Sequence, residues 1–466
     1  MAGIPVKKKQ RIAIVGAGLS GSVLAARLRN SFDVTVVEQG RRKRPLFDES
    51  TCTDGGINSS INRGAGLGGT TNYWHNALVE LVPDELRGAG IEPSRFNDYY
   101  RQAWSLFLSD TDLATCRRIR DANAASLPAG RAAHMVVPQA RANLWEHAHH
   151  WFPGDPITVV LGHAERLAED GPNGPTHLLV RNRHGLTRIE ADRFIFSAGG
   201  LATPVLLASS LGIEEKLCGG YHDHPMAYVA KLRLRPSSTL RDISCQDTNA
   251  GSVRTGFVYE SEGLKSVFYL RPALTLGVAS ITGEARYVLS DLRNDPFSPR
   301  KILQLLTNIE ALREAVLFKT RAGFRGDYYS VLMLGEQRPT SARGVRVSPG
   351  RPPALNWEVT PEEHAAHAQG FAQFLDEMSP QIADSNLIPA DRWEYRTAAH
   401  HSGGARDFLA STGADGLEFF AVRGLPNTSV CDASLLQRGG IANSGLTLVA
   451  LCLRLADDLE QQHECR

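Results

Sequence analysis

The sequence predicts an α/β fold built from two domains, one of them discontinuous along the chain. Three observations support this prediction. Residues 11–38 follow the order strand, glycine turn, helix, strand; residues 225–335 contain several strand-like apolar runs; and residues 399–466 return to glycine-rich turns followed by an apolar helix. At 466 residues, the chain is also long for a single hydrophobic core.

Residues 11–38 carry the clearest motif. The apolar run Ile12–Val15 ends in the turn Gly16-Ala17-Gly18-Leu19-Ser20-Gly21, a helical stretch follows, and a β-branched run ends at Glu38. In such a unit the first glycine permits the tight turn, the second lets the backbone approach a pyrophosphate, and the third lets the helix lie close to the strand. The helix N-terminus attracts the pyrophosphate, and the acid binds a ribose hydroxyl. The segment therefore predicts a dinucleotide site, with packing glycines as the alternative.

Bulk composition narrows the class of protein. The net charge of +1 predicts no basic surface for nucleic acid. The N-terminus has no apolar leader and no run of about 18 apolar residues occurs, so we expect a soluble, cytoplasmic protein without membrane association. Seven scattered cysteines, never spaced as CxxC, argue against a disulfide framework and against cysteine-bound zinc.

A second glycine-rich segment covers residues 63–76. Gly64, Gly66, Gly68 and Gly69 place four glycines within six residues, and polar and aromatic side chains follow directly. Because glycine costs backbone entropy inside a regular element, the segment is expected to approach another group closely. We interpret it as a second cofactor-contacting loop; a flexible linker is the alternative.

Two groups of histidines could suggest a metal site. His147, His149 and His150 form one group, and His364 and His367 form the other. Neither group has other ligand types at a suitable spacing, so no metal is expected. We assign the first group to a lid or surface segment and the second to solvated positions of a helix.

The middle of the chain is predicted to be mostly β. The runs ITVVLG, HLLVRN, LTRIEA and DRFIFSAGG indicate a meander that returns on a buried strand, followed by a helix over Val205–Ser210. The runs KLRLRP, GSVRTGFVYE, SVFYLR and YYSVLMLGE then indicate a substrate-binding sheet, interrupted by a helix from Ser298 to about Thr320.

Five stretches, taken in order, resemble the glucose-methanol-choline (GMC) oxidoreductases, FAD enzymes that oxidise alcohols, and within them the pyranose oxidase and sugar dehydrogenase branch. The stretches are Gly16–Gly21 with Glu38; Gly66–Thr71 with Trp74; Ser197–Gly199 with Thr203, Pro204 and Leu207; Asp223-His224-Pro225; and a C-terminal block of His400–Arg406, Val430–Ser434 and Ala442–Thr447. The substrate sheet is matched only by its general pattern and by Glu336-Gln337.

The resemblance implies a discontinuous, three-layer ββα Rossmann-like domain that binds FAD, and a substrate domain whose antiparallel sheet packs against helices. The expected FAD-binding parts are residues 1–76, 152–230 and 396–466. The expected substrate-binding or lid parts are residues 77–151 and 231–395.

The resemblance also implies a reaction, in which an alcohol loses hydride to flavin N5 while a histidine takes the hydroxyl proton. His400 is the expected base and Asn443 its orienting partner, because imidazole has a pKa near working pH and an amide can hydrogen-bond the alkoxide. His401 is kept as the weaker candidate, since Gly403, Ala405 and Arg406 match the family pattern when counted from His400.

The cofactor contacts implied by the resemblance come from both ends of the chain. The apolar helix after Asn443 is expected to end near Asp457 and to direct its N-terminus at the flavin pyrimidine. The expected contact residues are Gly16, Gly18, Leu19, Ser20, Gly21, Glu38, Gly68, Gly69, Thr70, Thr71, Asn72, Tyr73, Trp74, Ala164, Ala198, Gly199, Asp432, Ala433, Asn443 and Thr447.

Two departures from the family pattern limit what is inherited. Some relatives attach FAD covalently to a histidine at the position of Tyr73, so noncovalent FAD is expected, although His75 is close in sequence. Asp407 stands where relatives usually carry Met, so a sugar substrate is not inherited. The expected partners are a small-molecule alcohol and, as electron acceptor, oxygen or a redox partner. The alternatives are a lyase with a redox-silent flavin, a flavin monooxygenase and an inactive FAD-binding scaffold.

Overall fold

The computed structural model describes most of the chain. The described residues are 9–40, 53–54, 64–72, 74, 76–139, 143–168, 174–273, 276, 299, 302–303, 306, 326–410 and 416–465. Tyr73 and His75 lie outside the described residues, as do nearly all of the helix predicted from Ser298 to about Thr320 and most of the polar stretch before the second glycine-rich segment.

The described strands are, in chain order, β1 (Arg11–Val15), β2 (Asp33–Glu38), β3 (Thr53–Asp54), β4 (Ala132–Pro138), β5 (Thr158–Leu161), β6 (His163–Ala168), β7 (His177–Asn182), β8 (Gly185–Glu190), β9 (Arg193–Phe196), β10 (Lys216–Gly219), β11 (Pro225–Leu234), β12 (Cys245–Thr248), β13 (Gly251–Ser261), β14 (Leu264–Pro272), β15 (Tyr328–Gly335), β16 (Gly344–Ser348), β17 (Arg351–Asn356), β18 (Ile382–Leu387), β19 (Arg396–Thr397), β20 (Ala421–Val422) and β21 (Leu425–Val430).

The described α-helices are α1 (Leu19–Leu28), α2 (Pro83–Gly88), α3 (Pro93–Phe107), α4 (Asp110–Ala125), α5 (Leu144–Trp151), α6 (Ala202–Ser210), α7 (Leu240–Ser244), α8 (Pro361–Met378) and α9 (Gly445–Glu464). Short 3₁₀ turns include Gly69–Asn72, Arg406–Phe408 and Ala433–Leu435. Among the described residues, no helix combines the length and the apolar character needed to cross a membrane.

A mostly parallel sheet of six strands, in the order β20-β21-β9-β1-β2-β5, forms the nucleotide-binding side of the molecule. β1 is fully apolar at its centre because both faces of the sheet are covered, and it pairs in parallel with β2 and β9. Helices α1 and α9 pack against each other and extend the same core. The carboxyl ends of β1, β9 and β21 therefore meet at one edge, where open α/β sheets bind ligands.

The predicted meander is present but begins one strand later than expected. The run ITVVLG forms β5, which pairs in parallel with β2 and so belongs to the large sheet. The separate three-stranded meander is β6-β7-β8, after which the chain returns to the large sheet as β9. Sequence periodicity cannot distinguish these two sheets, because both have short apolar strands.

The second large sheet is antiparallel, with the order β12-β13-β14-β15-β11-β18, and β4 and β19 pair with β13 and β11. Helix α8 covers one face, where Phe371 and Phe374 pack with Phe268. On the other face an apolar cluster including Leu332 is in contact with Ile441. The antiparallel sheet packed on helices is confirmed, whereas the domain boundaries remain a prediction.

Two sequence expectations are wrong in this part of the fold. His367 is not solvated: it is completely buried, and its Nδ1 lies 2.8 Å from the Ser266 hydroxyl. Helix α9 does not end near Asp457 but continues to Glu464. Arg27 of α1 forms ion pairs with Asp457 and Glu460, so Asp457, which suggested a helix end, instead helps to join two helices.

Candidate active site

The two glycine-rich segments are brought into direct contact. The Gly68 N–H donates to the carbonyl oxygen of Ala17 at 2.8 Å. A Cβ atom added at Gly69 would lie 2.8 Å from the Cα of Gly18, so no larger residue fits at this crossing. The second segment is therefore packed onto the first turn and is not a linker.

Glu38 joins these segments through its carboxylate. Its Oε2 accepts the Ala17 N–H at 2.8 Å, and its Oε1 accepts the N–H groups of Gly40 at 2.8 Å and Gly66 at 3.0 Å. A carboxylate has about four lone-pair sites, so capacity remains for a ribose hydroxyl. From the sequence, Glu38 was expected only to bind a ribose hydroxyl. In the structure it also fixes the geometry of both loops.

The start of α1 fits a pyrophosphate. Gly18 is the N-cap residue, and no side chain caps the helix. The N–H groups of the first helical turn have no intrahelical partner and carry partial positive charge. A Cβ atom at Gly18 would meet nothing within 4 Å, so the space in front of the backbone is open. Leu19, Ser20 and Gly21 form the first turn of this helix, as expected for a phosphate-binding turn.

The polar side chains of the second segment bind the protein itself. Thr71 Oγ1 donates to the Gly68 carbonyl at 2.5 Å and accepts the Leu144 N–H. Asn72 Nδ2 donates to the Gly69 carbonyl at 2.9 Å, and Asn143 donates to its Oδ1. Thus the Thr71 and Asn72 side chains shape the loop, and their predicted cofactor contacts remain a prediction.

Asp432 connects the carboxyl ends of β9 and β21. Its Oδ2 accepts the Gly199 N–H at 2.8 Å and the Thr203 hydroxyl at 2.5 Å, while its Oδ1 accepts the Ser434 N–H at 2.8 Å. Burial raises the pKa of Asp432, although these hydrogen bonds oppose the shift. A Cβ atom at Gly199 would meet no atom within 4 Å, so the space beside the peptide that Asp432 holds is open.

Other predicted contact residues have mixed outcomes. Thr447 is buried, and its hydroxyl lies 2.7 Å from the Tyr100 hydroxyl, so its side chain is committed to α3. Ala164 lies on β6, two residues after Gly162, whose N–H donates to the Glu38 carbonyl. Three further predicted contact residues are placed without evidence for or against a cofactor contact. Thr70 accepts a hydrogen bond from the Gly64 N–H, Ala198 follows β9, and Ala433 begins a 3₁₀ turn.

The start of α9 lies beside the second glycine-rich segment. The Trp74 ring would touch a Cβ atom added at Gly445, at 2.9 Å, and Asn443 Nδ2 donates to the Ala77 carbonyl at 3.4 Å. The N-cap residue of α9 makes no side-chain capping bond. Sequence places these residues about 370 positions apart, and folding makes them neighbours.

A pocket of about 270 Å³ opens next to this region. Its Phe107 wall packs edge-on against Trp74, with ring centroids 6.4 Å apart. Residues 77–151, an expected substrate-binding or lid part, supply most of the lining of this pocket, namely Leu106, Phe107, Leu108, Ser109, Asp112, Pro138, Gln139, His147 and Trp151, with Asn76 and Ala250. Of the three histidines at positions 147, 149 and 150, His149 contacts Arg29 at 2.8 Å.

His400 is half-buried and lies against the buried His224. Its Nδ1 is 2.9 Å from Nδ1 of His224, and the two rings are nearly perpendicular. The backbone N–H groups of His400 and His224 both donate to Asp223 Oδ1, at 3.0 and 2.6 Å. Thr397 donates its hydroxyl to the other carboxylate oxygen at 2.5 Å.

His401 faces a different set of groups. Its Nδ1 lies 2.7 Å from the Tyr221 hydroxyl and 3.3 Å from Asp223 Oδ2. Tyr221 belongs to a small apolar cluster with Leu201 and Trp357. The structure therefore places both predicted histidines around one carboxylate, with His400 toward His224 and His401 toward Tyr221.

The charges of this cluster are set by burial and by Asp223. Burial disfavours the ionised form of Asp223, but the hydrogen bond from His401 and the charges of His401 and His400 outweigh it, so the pKa of the carboxyl lies well below its usual range. Burial lowers the pKa of His224 to about 4 and lowers that of His400 below its ordinary value. His400 is therefore neutral at neutral pH and able to accept a proton.

Sequence reasoning named Asp223 and His224 as part of a motif without giving them a role. The signal that was present is the order Asp-His-Pro just before a strand. Their role depends on contacts with residues about 175 positions away, which no local pattern reveals. Among the described residues, no group of three or more His, Cys, Asp or Glu side chains is arranged to hold a metal ion.

Sequence comparison covers only parts of the chain. A family profile described as an NAD(P)-binding Rossmann-like domain matches residues 14–43. An uncharacterized protein of Methanocaldococcus jannaschii is 32% identical over 111 residues, which cover 22% of this chain and 26% of that protein. The chain thus matches about a quarter of the length of this curated relative.

Structural comparison covers the whole chain. A pyridoxine 4-oxidase from Mesorbium loti has a TM-score of 0.62 at 16% identity, covering 98% of this chain and 99% of that one. A formate oxidase has a TM-score of 0.60 at 14% identity, covering 99% and 100%. An Aspergillus oryzae formate oxidase, studied for its FAD modification, has a TM-score of 0.60 at 15% identity, covering 99% and 100%. The chain therefore has, over its whole length, the fold of the glucose-methanol-choline oxidoreductases, which confirms the resemblance predicted from its sequence.

Proposed function

We propose that the protein is an FAD-dependent oxidoreductase that oxidises the CH–OH group of a small-molecule alcohol. The observation that carries the proposal is the half-buried His400 in contact with His224 and Asp223, placed in a fold shared with a pyridoxine 4-oxidase and formate oxidases. The open space at Gly18, the uncapped start of α1 and the spare capacity of Glu38 fit the adenosine and pyrophosphate end of FAD.

Bound FAD would supply the hydride acceptor, and the chain supplies the remaining functions. His400 takes the hydroxyl proton, because its pKa is lowered and it is neutral. Asn443 hydrogen-bonds the substrate oxygen without competing for the proton. Asp223 offsets the positive charge that His400 acquires, since its carboxylate accepts the His400 N–H. Thr397 and His224 keep this carboxylate in place by donating to it.

The test is anaerobic bleaching of the yellow protein with a panel of alcohols, sugars and amino alcohols, followed by oxygen. Bleaching by an alcohol supports the proposal, and rapid reoxidation by oxygen assigns an oxidase, whereas slow reoxidation assigns a dehydrogenase with a redox partner. A flavin that no alcohol bleaches, with turnover independent of its redox state, favours a lyase. NADPH consumption favours a monooxygenase.

We also propose that FAD is bound noncovalently, because Tyr73 stands where some relatives carry the linking histidine. Acid precipitation is expected to leave a white pellet and a yellow supernatant. Yellow colour that stays in the pellet contradicts the proposal, and a peptide map then tests His75 as the attachment point.

The pH dependence of kcat/KM is expected to follow the neutral form of His400. Burial lowers its pKa below the ordinary value of 6.5, the charge of Asp223 opposes this, and the charge of His401 adds to it. Because the base must be unprotonated, activity is retained above the folded pKa and lost as the pH falls through it. We therefore expect the acidic limb of the profile to lie below pH 6.5. A limb above that value would contradict the role of His400.

A further inference from the structure

The buried His224 and the half-buried His400, from distant parts of the chain, share a single contact. His224 lies just before β11 and His400 lies just after β19, and their Nδ1 atoms are 2.9 Å apart. Two ring nitrogens at this distance are joined by one proton, so one ring must donate and the other must accept.

The second contact of His224 decides the direction of this hydrogen bond. The Nε2 atom of His224 faces the Gly439–Gly440 backbone, because a Cβ atom added at Gly439 would lie 3.6 Å from it. A backbone hydrogen bond with Gly440 raises the pKa of His224, which is the effect of a carbonyl acceptor. Since Nδ1 faces His400, the ring nitrogen directed at Gly440 is Nε2, and it must carry a hydrogen. Burial lowers the pKa of His224 to about 4, so the ring is neutral and has only this one N–H. Its Nδ1 is therefore an acceptor.

We infer that His224 is a positioning residue that holds His400 in the tautomer with hydrogen on Nδ1, leaving the Nε2 lone pair as the proton acceptor. The catalytic meaning of this inference rests on the proposed function, whereas the tautomer itself does not. Asp223 supports the arrangement, because its Oδ1 accepts the backbone N–H groups of both histidines and so fixes the spacing of the rings.

The surroundings are consistent with this direction of donation. Besides each other, the charged or titratable groups that face these rings are Asp223 and His401 for His400, and Asp223, Glu336 and His222 for His224. Only the carboxylates attract a proton, and Asp223 already accepts the backbone N–H groups of His224 and His400, the Thr397 hydroxyl and the His401 ring. When His400 takes a proton on Nε2, its Nδ1–H continues to donate to His224, so no rearrangement is needed.

The test is ¹⁵N NMR of the FAD-loaded protein labelled on histidine, in which the ring nitrogen shifts report the tautomer. His400→Gln assigns the His400 signals by their loss. We expect Nδ1–H for His400 in the wild type.

In His224→Asn the amide oxygen can replace Nδ1 as acceptor, so the same tautomer is expected. In His224→Leu the acceptor is lost, and His400 is expected to lose its single tautomer. Should the Leu variant fail to fold, His224→Gln, whose amide reaches toward Gly440 instead, replaces it.

Kinetics give a second readout. We expect His224→Leu to lower kcat roughly 10- to 100-fold with KM and flavin content nearly unchanged, because part of the molecules hold the wrong tautomer, and His224→Asn to restore most of it. Nε2–H in the wild type, or an unchanged tautomer in the Leu and Gln variants, overturns the inference. A tautomer change in a protein that oxidises no alcohol instead overturns the proposed function and leaves the positioning role standing.

Discussion

Replacing His400 by Ala is expected to lower the rate of anaerobic flavin reduction by roughly 10²- to 10⁴-fold, the contribution typical of a general base. The loss should appear in kcat, since the proton is removed after the substrate has bound. FAD should stay bound, because the residues that fit its adenosine and pyrophosphate end lie on α1 and β2. Stopped-flow absorbance of the flavin, with flavin content per protein as the control, measures both quantities.

The neighbouring histidine provides the matched comparison. His401→Ala removes a ring that contacts Tyr221 and Asp223, away from His224. We expect this variant to lose less than about tenfold in the reduction rate, because it disturbs the counter-charge and keeps the base. If His401→Ala shows the larger loss, the base is His401. If neither variant slows reduction, proton transfer does not depend on this cluster.

Gly18→Ala is expected to weaken FAD binding without unfolding the protein. The new methyl group meets no protein atom within 4 Å, and the backbone φ of −72° is ordinary for Ala. The methyl group instead occupies the space in front of α1 where a pyrophosphate must approach the backbone. Overpacking of this kind costs about 1–3 kcal/mol, and the same loss in the free energy of FAD binding raises the Kd for FAD roughly 5- to 150-fold. Flavin fluorescence titration of the stripped protein measures this change.

Gly21→Ala, three residues further along, is the control with the opposite outcome. A Cβ atom there would lie 1.9 Å from the carbonyl oxygen of Gly16, so the helix must move away from the turn. We expect a lower melting temperature for the FAD-free protein in this variant and an unchanged one in Gly18→Ala. An unchanged FAD affinity in Gly18→Ala would mean that the dinucleotide does not approach α1 at this residue.

Parts of the molecule with strong local patterns were predictable. The βαβ unit of residues 11–38, the helix that carries His364 and His367, and the long strands of the antiparallel sheet appear where the sequence indicated them. Boundaries and sheet membership were less predictable. β5 was assigned to the wrong sheet, because a short apolar strand has the same pattern wherever it pairs.

The roles of individual side chains were also only partly predictable from the sequence. Glu38, Thr71, Asn72 and Asp432 were expected to contact the cofactor, yet each also bonds the protein backbone or a neighbouring side chain. A residue type indicates which hydrogen bonds are chemically available and leaves open which partner is nearest. The buried state of His367 was missed for the same reason, since a histidine on an amphipathic helix is compatible with either environment.

The sequence by itself determined that a dinucleotide turn stands near one end of the chain and that His400 and Asn443 stand near the other. Glycine spacing and residue chemistry are local properties, so they are present before folding. Only the tertiary structure decided that the two glycine-rich segments cross at Gly18 and Gly69 and that His224 lies against His400. Burial then lowers the pKa of both histidines and favours their neutral forms, and desolvation of this kind arises only when distant segments pack together.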